Sequence, residues 1–371
     1  MKELSTAQYA KQAHPTSFMQ TTAMAKLREQ SGQTVHFFEH QKQFVLISGT
    51  PFHASKYYNY YAWFSDQLSA DFIKHLKTWC KNHAGLSLTI TPNTPIALRD
   101  YHGKIIEKLP FDPAALKSNG LKWQGPVVVA PGTYKQWQYV VNLDQPYAQL
   151  LQSTFKPKVR HAIATTEKTG IIIQELTPDN LDQFTATLAS TADRRHFSAR
   201  DAKYYQDMLA AFRGDAYGLI AYLDPQKTRK LLSAIIKNAS KVQFGTEIGA
   251  KAERQLGLIA DLEEPTPIYA GFFVDTPRET VYLAGGGPDR FFPFSPVFAV
   301  LDRAMRRSAS KHIPRFNLYG VDATFDHPTG LLKFKQQFRG FIEQLPGDYV
   351  TNLRPLTTIS VKATSRLKKS R

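Results

Sequence analysis

FNLYGVDATFDHPTGLLKFKQQF, from Phe316 to Phe338, reads as a buried strand, a loop and an amphipathic segment. Phe316 to Tyr319 supply the strand. The loop is dense in Gly, Asp, His, Thr and Pro, residues that provide turn geometry and polar groups rather than core. The closing segment carries Lys333 and Lys335 among phenylalanines. A lysine with an apolar wall behind it, just after such a loop, is a candidate electrophile. Taken alone, the local pattern fits a solvated basic helix face better.

Working outward, a chain of 371 residues is too long for one ordinary core, so two domains are expected. Hydrophobic residues make up 42% and charged residues 21%, a globular rather than a disordered composition. No stretch reaches the roughly 18 apolar residues of a membrane span, and the polar opening lacks the apolar centre of a signal peptide. Cys80 is the single cysteine, so no intrachain disulfide forms and a reducing, cytoplasmic setting fits. Phe72, Ile73, Leu76, Trp79 and Cys80 recur at helical spacing, which assigns Cys80 to core packing. The net charge of +16 favours a polyanionic partner: RNA, a phosphorylated substrate or an anionic membrane surface. The tail from Val361 to Arg371 holds five of the basic residues and no acid, so most of the excess lies elsewhere.

Strand and helix signals alternate along the chain, which argues α/β architecture. Thr34 to Ser48 predicts a hairpin, Asp71 to Ala84 a helix, and LSLTITP a strand. Asp112-Pro113 and Thr177-Pro178 are helix-opening pairs, a capping side chain followed by proline. Helices are expected near Tyr147 to Ser153 and within Pro157 to Thr169. The order then begins again with DAKYYQDMLAAF, YGLIAYL, IYAGFFV, TVYLAGG, PVFAVLDRAMRRSA and FNLYG, giving two mixed α/β units of similar content. The interruption from Asp224 to Pro265 carries two apolar stripes, Leu231, Leu232, Ile235, Ile236 and then Ile248, Ala252, Ile259, Leu262. A short helical hairpin accounts for it. Lys227, Arg229, Lys230, Lys237 and Lys241 form either a solvated face or an arm that touches RNA.

Two strings are excluded and a third has a commoner reading. His36-Phe37-Phe38-Glu39-His40 matches H-x-x-E-H, yet that motif needs a helix and the flanks predict a strand. Gly285-Gly286-Gly287 lacks the Gly-Lys-Ser/Thr of a phosphate loop and instead turns a strand toward the helix opened by Ser295-Pro296. The aromatic run Tyr57 to Phe64 could stack bases, but a buried edge between layers is the commoner use.

Four segments in order resemble the FemABX family, the aminoacyltransferases that build peptidoglycan interpeptide bridges. SFMQTTAMAKLREQSGQT is similar to the opening Q-x-x-x-W-A-x-x-K type segment, and FKPKVRHAIATTEKTGIII to the basic helix and strand. TADRRHFSARDAKYYQDML resembles the R-x-x-x-Y-[YF] segment. LYGVDATFDHPTGLLKFKQQF resembles the closing strand, loop and F-K-x-x-F motif. The resemblance spans nearly the whole chain. It implies two tandem acetyltransferase-like domains with mixed sheets flanked by helices: 1–150 plus 345–371 on the acceptor side, and 151–344 with the hairpin at 224–265.

The family's reaction moves an amino acid from aminoacyl-tRNA to the stem-peptide amine of a peptidoglycan precursor, either UDP-linked or lipid-linked. Peripheral contact with the inner membrane surface fits the lipid-linked form. By resemblance, Lys26 and Arg200 bind the precursor pyrophosphate, where a guanidinium's planar fork holds two oxygens at once. Tyr204, four residues on, contacts the same ligand. Lys335, behind Phe334, lies near the aminoacyl ester and stabilises the oxyanion formed when the amine attacks. Because the ester is already activated, positioning and charge stabilisation suffice. Neither a metal nor an organic cofactor is then required.

The match departs from the pattern around the acceptor. Ala62-Trp63-Phe64-Ser65 replaces a Lys/Arg-Gly-Pro turn, Thr91-Pro92 replaces Asp-Pro, and Ala284 replaces a tyrosine. Asp100 is nearby but out of register, and Tyr282 shares the strand face of Ala284. A non-catalytic homologue that binds tRNA or wall precursor therefore stays open beside the transferase.

Overall fold

The computed structural model describes residues 1–53, 55–64, 68–126, 128–130, 133–166, 168–195, 199–241, 244–355 and 357. The basic tail from 361 to 371, and His196-Phe197-Ser198 ahead of Arg200, lie outside the described residues. The chain divides into two compact units, Met1–Tyr139 with Gly320–Thr329 and Phe341–Arg371, and Val140–Tyr319 with Gly330–Gly340.

The first unit opens with β1 (Lys2–Leu4), α1 (Thr6–Gln12), α2 (Thr22–Gln30), β2 (Thr34–His40), β3 (Gln43–Pro51), β4 (Tyr58–Phe64), α3 (Ala70–Asn82) and β5 (Gly85–Pro92). The alternation in TVHFFEH and QFVLISG turns through Gln41 and Lys42, both at positive φ, to make the expected hairpin. Ser69 caps α3, its hydroxyl accepting from the Phe72 N–H at 3.2 Å. The stripe Phe72, Ile73, Leu76 and Cys80 is buried against the sheet, so Cys80 is core, and burial raises its thiol pKa. Each such large apolar side chain contributes about 1.5–3 kcal/mol. On the other sheet face α1 and α2 close a smaller cluster of Leu4, Tyr9, Ala13, Ala25, Phe37 and Leu46.

Next come β6 (Ala97–Asp100), β7 (Ile105–Lys108), α4 (Ala114–Ser118), β8 (Lys122–Trp123) and β9 (Val128–Ala130). The chain enters the second unit through β10 (Thr133–Asn142), then α5 (Tyr147–Ser153), α6 (Pro157–Thr166), β11 (Ile171–Glu175), α7 (Leu181–Arg195), α8 (Ala202–Phe212) and β12 (Ala216–Leu223). The hairpin follows as α9 (Pro225–Asn238) and α10 (Gly245–Gly257), which pack on each other. It ends sooner than the second stripe suggests: Ile259 and Leu262 are buried beyond α10. Then β13 (Thr266–Asp275), β14 (Thr280–Gly286), α11 (Pro296–Ser310), β15 (Arg315–Val321) and α12 (Gly330–Lys335) complete the unit. The return brings β16 (Phe341–Gln344) and β17 (Tyr349–Asn352) to the first unit.

The two units repeat one order: a strand, two helices, three antiparallel strands, a helix, and a strand that pairs in parallel with the one before. In the first unit this is β1 to β5, with β17 and β8 added beside β5. In the second it is β11 to β15, interrupted by the hairpin between β12 and β13. This is the acetyltransferase order, twice. The Tyr57 to Phe64 run is corrected by it, because β4 is a central strand paired on both sides rather than an edge.

One difference between the repeats matters for chemistry. After a shift between Tyr58 and Asn59, the parallel pair β4 and β5 stays in register from Asn59 to Phe64. In contrast, β14 and β15 pair only at Thr280 with Phe316 and Val281 with Asn317, then diverge. A bulge at Leu283, where Phe272 faces Ala284 but Phe273 faces Tyr282, bends β14 away at that point. The backbone groups of the second unit beyond Val281 and Asn317 are thus left unpaired with each other, and β15 carries Tyr319 along that open side. Gly285, expected in a turn, instead lies within β14 beneath Tyr282, whose hydroxyl would sit 1.6 Å from a Cβ there.

Candidate functional site

Lys335 ends α12 and is 4% exposed, unlike the solvated face its local pattern suggests. Its Nζ donates to the backbone carbonyl of Tyr319 at 3.3 Å. Lys333, two residues earlier, is exposed. Phe334 is half-buried, its ring 5.5 Å from that of Phe298 and 5.7 Å from that of Phe338. The F-K pair therefore places an aromatic wall in the core and an ammonium at a strand end.

Tyr319 holds that ammonium by an unusual backbone. Its φ is +65°, a left-handed conformation that costs a bulky residue about 1–2 kcal/mol. Asn317 imposes it: the Asn317 Oδ1 accepts the Tyr319 N–H at 2.8 Å, while its Nδ2 donates to Glu279 Oε2 at 3.2 Å. Asn317 and Glu279 are both buried, and the Glu279 N–H is tied to Thr276 Oγ1 at 3.0 Å. The phenol of Tyr319 is pushed up to about 12 by burial, with Tyr204 and the Glu279 carboxylate adding to the shift.

Tyr204 stands in the first turn of α8, its N–H donating to the Asp201 cap at 2.8 Å. Burial raises its phenol, and Arg200 opposes that shift. Arg200 precedes the helix rather than sharing a helical face with Tyr204, yet its guanidinium carbon is 5.0 Å from the Tyr204 ring centre. Arg200, Tyr204, Tyr319 and Lys335 therefore form one string in the second unit. Tyr319 is the link; it stands in the closing segment, where no spacing singles it out.

Tyr282 belongs to another group. Its hydroxyl lies 2.7 Å from that of Tyr269, its ring stacks on Phe273 at 5.2 Å, and burial raises its pKa.

In the first unit Lys26 is exposed on α2. Two residues on, Arg28 is only 5% exposed, stacked 3.6 Å over the Trp63 ring, with Nη2 3.8 Å from Met19 Sδ. Its Nη1 is buried without a hydrogen-bond partner. Burial draws its pKa down to about 9, with Tyr9 opposing. The string itself holds the signal, because Q-x-x-x-W-A-x-x-K laid on Gln20 ends at position 28. Thr91, which replaces an aspartate of the pattern, donates to Asp348 Oδ1 at 2.7 Å, so a carboxylate from the β16 to β17 turn stands beside it. Asp100 is occupied otherwise, accepting the His102 and Lys104 N–H groups at 2.9 Å each to hold a turn. His36 lies in β2 paired to Glu3, so H-x-x-E-H is not a helical metal motif.

This string of cation, phenols and buried ammonium, set on an acetyltransferase-type unit, is the candidate site of an acyltransferase. Known proteins of similar sequence and fold agree. The profile of the FemAB family matches residues 2–255 and 247–365. Aminoacyltransferase FemA of Staphylococcus aureus (strain bovine RF122 / ET3-1) is 23% identical over 329 residues, covering 80% of this chain and 78% of its own length. Aminoacyltransferase FemA of Staphylococcus epidermidis is 23% identical over 330 residues, covering 80% and 79%. The crystal structure of FemX shares the fold at a TM-score of 0.71 and 16% identity, over 97% of this chain and all of FemX. The chain belongs to the FemAB family, the transferases of peptidoglycan interpeptide bridges, and it is an aminoacyltransferase.

Proposed function

We propose that this enzyme moves an amino acid from aminoacyl-tRNA to the stem-peptide amine of a peptidoglycan precursor, UDP-linked or lipid-linked, on the cytoplasmic side. The observation that carries this reading is the buried Lys335 ammonium on the Tyr319 carbonyl. The amine attacks the ester carbonyl, a C–N bond forms, the C–O bond to the ribose breaks, and the amine's proton ends on the ribose oxygen. A fixed ammonium stabilises the oxyanion between those events, in a low-dielectric setting where such a charge acts strongly. Neither metal nor organic cofactor enters these steps.

Arg200 and Tyr204 are pyrophosphate ligands of this reading in the second unit, and in the first unit Lys26 and Arg28 are the candidate anion ligands for the precursor. Of the last two, Arg28 is the buried one with an unsatisfied donor, and an anion would relieve it. Tyr282 is assigned to the acceptor, and Phe334 fixes Lys335 from behind. Asp348, held by Thr91, is the proton acceptor that compensates the missing aspartate. Its presence favours the transferase over the non-catalytic homologue suggested by Thr91 and Ala284.

The hairpin is the tRNA contact of this reading. Arg229 is already spent, its guanidinium donating to the carbonyls of Ile259, at 3.0 Å, and Leu262. Lys227, Lys230, Lys237 and Lys241 are exposed and free to meet phosphates by position. No helix among the described residues is long and apolar enough to cross a membrane, so a lipid-linked acceptor is met by peripheral contact. Incubation with charged tRNA and UDP-muropeptide or lipid-linked precursor tests the whole reading. Transfer from alanyl-, seryl- or glycyl-tRNA is expected, and none from any of them contradicts it.

A further inference from the structure

A second cluster of metal-ligating side-chain types lies in the first unit, apart from the residues assigned to transfer. His40 closes β2, while Asp71 and His75 share one face of α3 at helical spacing. One ligand atom from each comes within 4.8 Å of the other two, the single such group among the described residues. Asp71 Oδ2 is 2.9 Å from His40 Nε2 and 3.4 Å from His75 Nδ1. The two imidazole rings are 5.4 Å apart, and the ring of Phe72 backs that of His40 at 5.4 Å.

We propose that His40, Asp71 and His75 bind one zinc-class divalent cation, with water completing the coordination. Three observations carry this. Tetrahedral zinc with bonds of about 2.0–2.1 Å sets its ligands about 3.3 Å apart, close to the two separations around Asp71. Two imidazoles and one carboxylate are a donor set that zinc, cobalt and nickel accept, and that magnesium and calcium do not favour. Finally, His40 Nε2 is buried and lacks a hydrogen-bond partner: although near Asp71 Oδ2, it is not aligned for a bond to it. A hydrogen-bonded His–Asp pair would have aligned those atoms, and a shared cation does not need them aligned.

His75 Nδ1 is also 2.9 Å from the Asp71 carbonyl. That carbonyl already accepts the helical bond expected from the N–H four residues on, so releasing the ring to the metal leaves no orphan. The cation would tie the end of a β-hairpin to the start of the helix that covers the main core of this unit, which makes it a clasp.

The test uses the full chain after treatment with a chelator, and none of its readouts depends on transfer activity. Equilibrium dialysis against zinc should give one tightly held ion per chain, with a rise in Tm, and cobalt should show the absorption of a tetrahedral site. His75→Ala and Asp71→Asn should each weaken zinc binding at least tenfold and abolish the rise in Tm. Both side chains are about half exposed, at 47% and 57%, so the variants keep the fold, which far-UV circular dichroism checks. Substoichiometric zinc in the wild type, or wild-type affinity in His75→Ala, overturns the proposal.

Discussion

The Lys335 ammonium donates to the carbonyl of Tyr319 at 3.3 Å, and Tyr319 presents that carbonyl from a left-handed backbone. The pair joins two segments that are adjacent in the closing motif but separated by a loop assigned to the first unit. Strain at Tyr319 is offset by Asn317, which in turn is fixed by Glu279. Placement of the charge proposed to be catalytic thus depends on a side chain that is itself assigned no contact with either substrate.

Asn317→Ala should therefore lower kcat about tenfold or more while leaving KM for both substrates within about twofold. It should also cost about 1–3 kcal/mol of stability, because a buried carboxylate loses a donor. Steady-state kinetics and thermal denaturation check both. A drop in stability with unchanged kcat would leave Asn317 a packing residue only.

Arg28→Met should separate stability from function. Replacing a buried, unpaired cation by an apolar side chain of similar length removes a desolvation penalty and keeps contact with Trp63, so Tm should rise by a few degrees, about 1 kcal/mol. Acceptor KM should rise about tenfold or more, with kcat less affected. A destabilised variant with wild-type KM would refute the anion role.

Asp348→Asn should lower kcat without raising KM for the precursor, since the Thr91 hydroxyl keeps an acceptor but the base is gone. An unchanged kcat removes Asp348 from the reaction.

Tyr319 titrates near 12 in the fold and near 10 in the unfolded chain. Its raised value means the unfolded chain gives up the proton first, so this contribution to stability is intact below about pH 10 and is lost as pH rises to about 12. Tyr204 and Tyr282 shift in the same direction. Tyrosinate absorbance should therefore appear together with loss of circular dichroism above pH 10. Tyrosinate from these groups in a chain that is still folded at pH 10 would contradict their burial.

Much of the fold is legible in the sequence because its elements carry local signals. The α3 stripe, the Thr34 to Ser48 hairpin and the two apolar runs of α9 and α10 each show their period in a short window. The site is legible in part. Lys335, Arg200 and Tyr204 stand in ordered motifs, whereas the burial of Lys335 cannot be read from a basic amphipathic pattern, since burial depends on what packs against it. Tyr319 offers no spacing signal because its role lies in a φ angle. Asp348 beside Thr91 follows from the register of β17 on β5, and His40 beside the helical pair Asp71 and His75 from the packing of α3 on β2, so both are juxtapositions across the chain. Arg28 is legible in the same string as Lys26, because the Q-x-x-x-W-A-x-x-K spacing from Gln20 ends on it, while its burial is not.

The central claim rests on the Lys335 charge. Single-turnover transfer from aminoacyl-tRNA to the precursor, with both substrates saturating, measures it most directly. Lys335→Ala is expected to lower this rate by about 10²–10³ while binding of both substrates is retained and the exposed Lys333→Ala transfers normally. Transfer by Lys335→Ala at the wild-type rate would contradict the electrostatic role assigned to it.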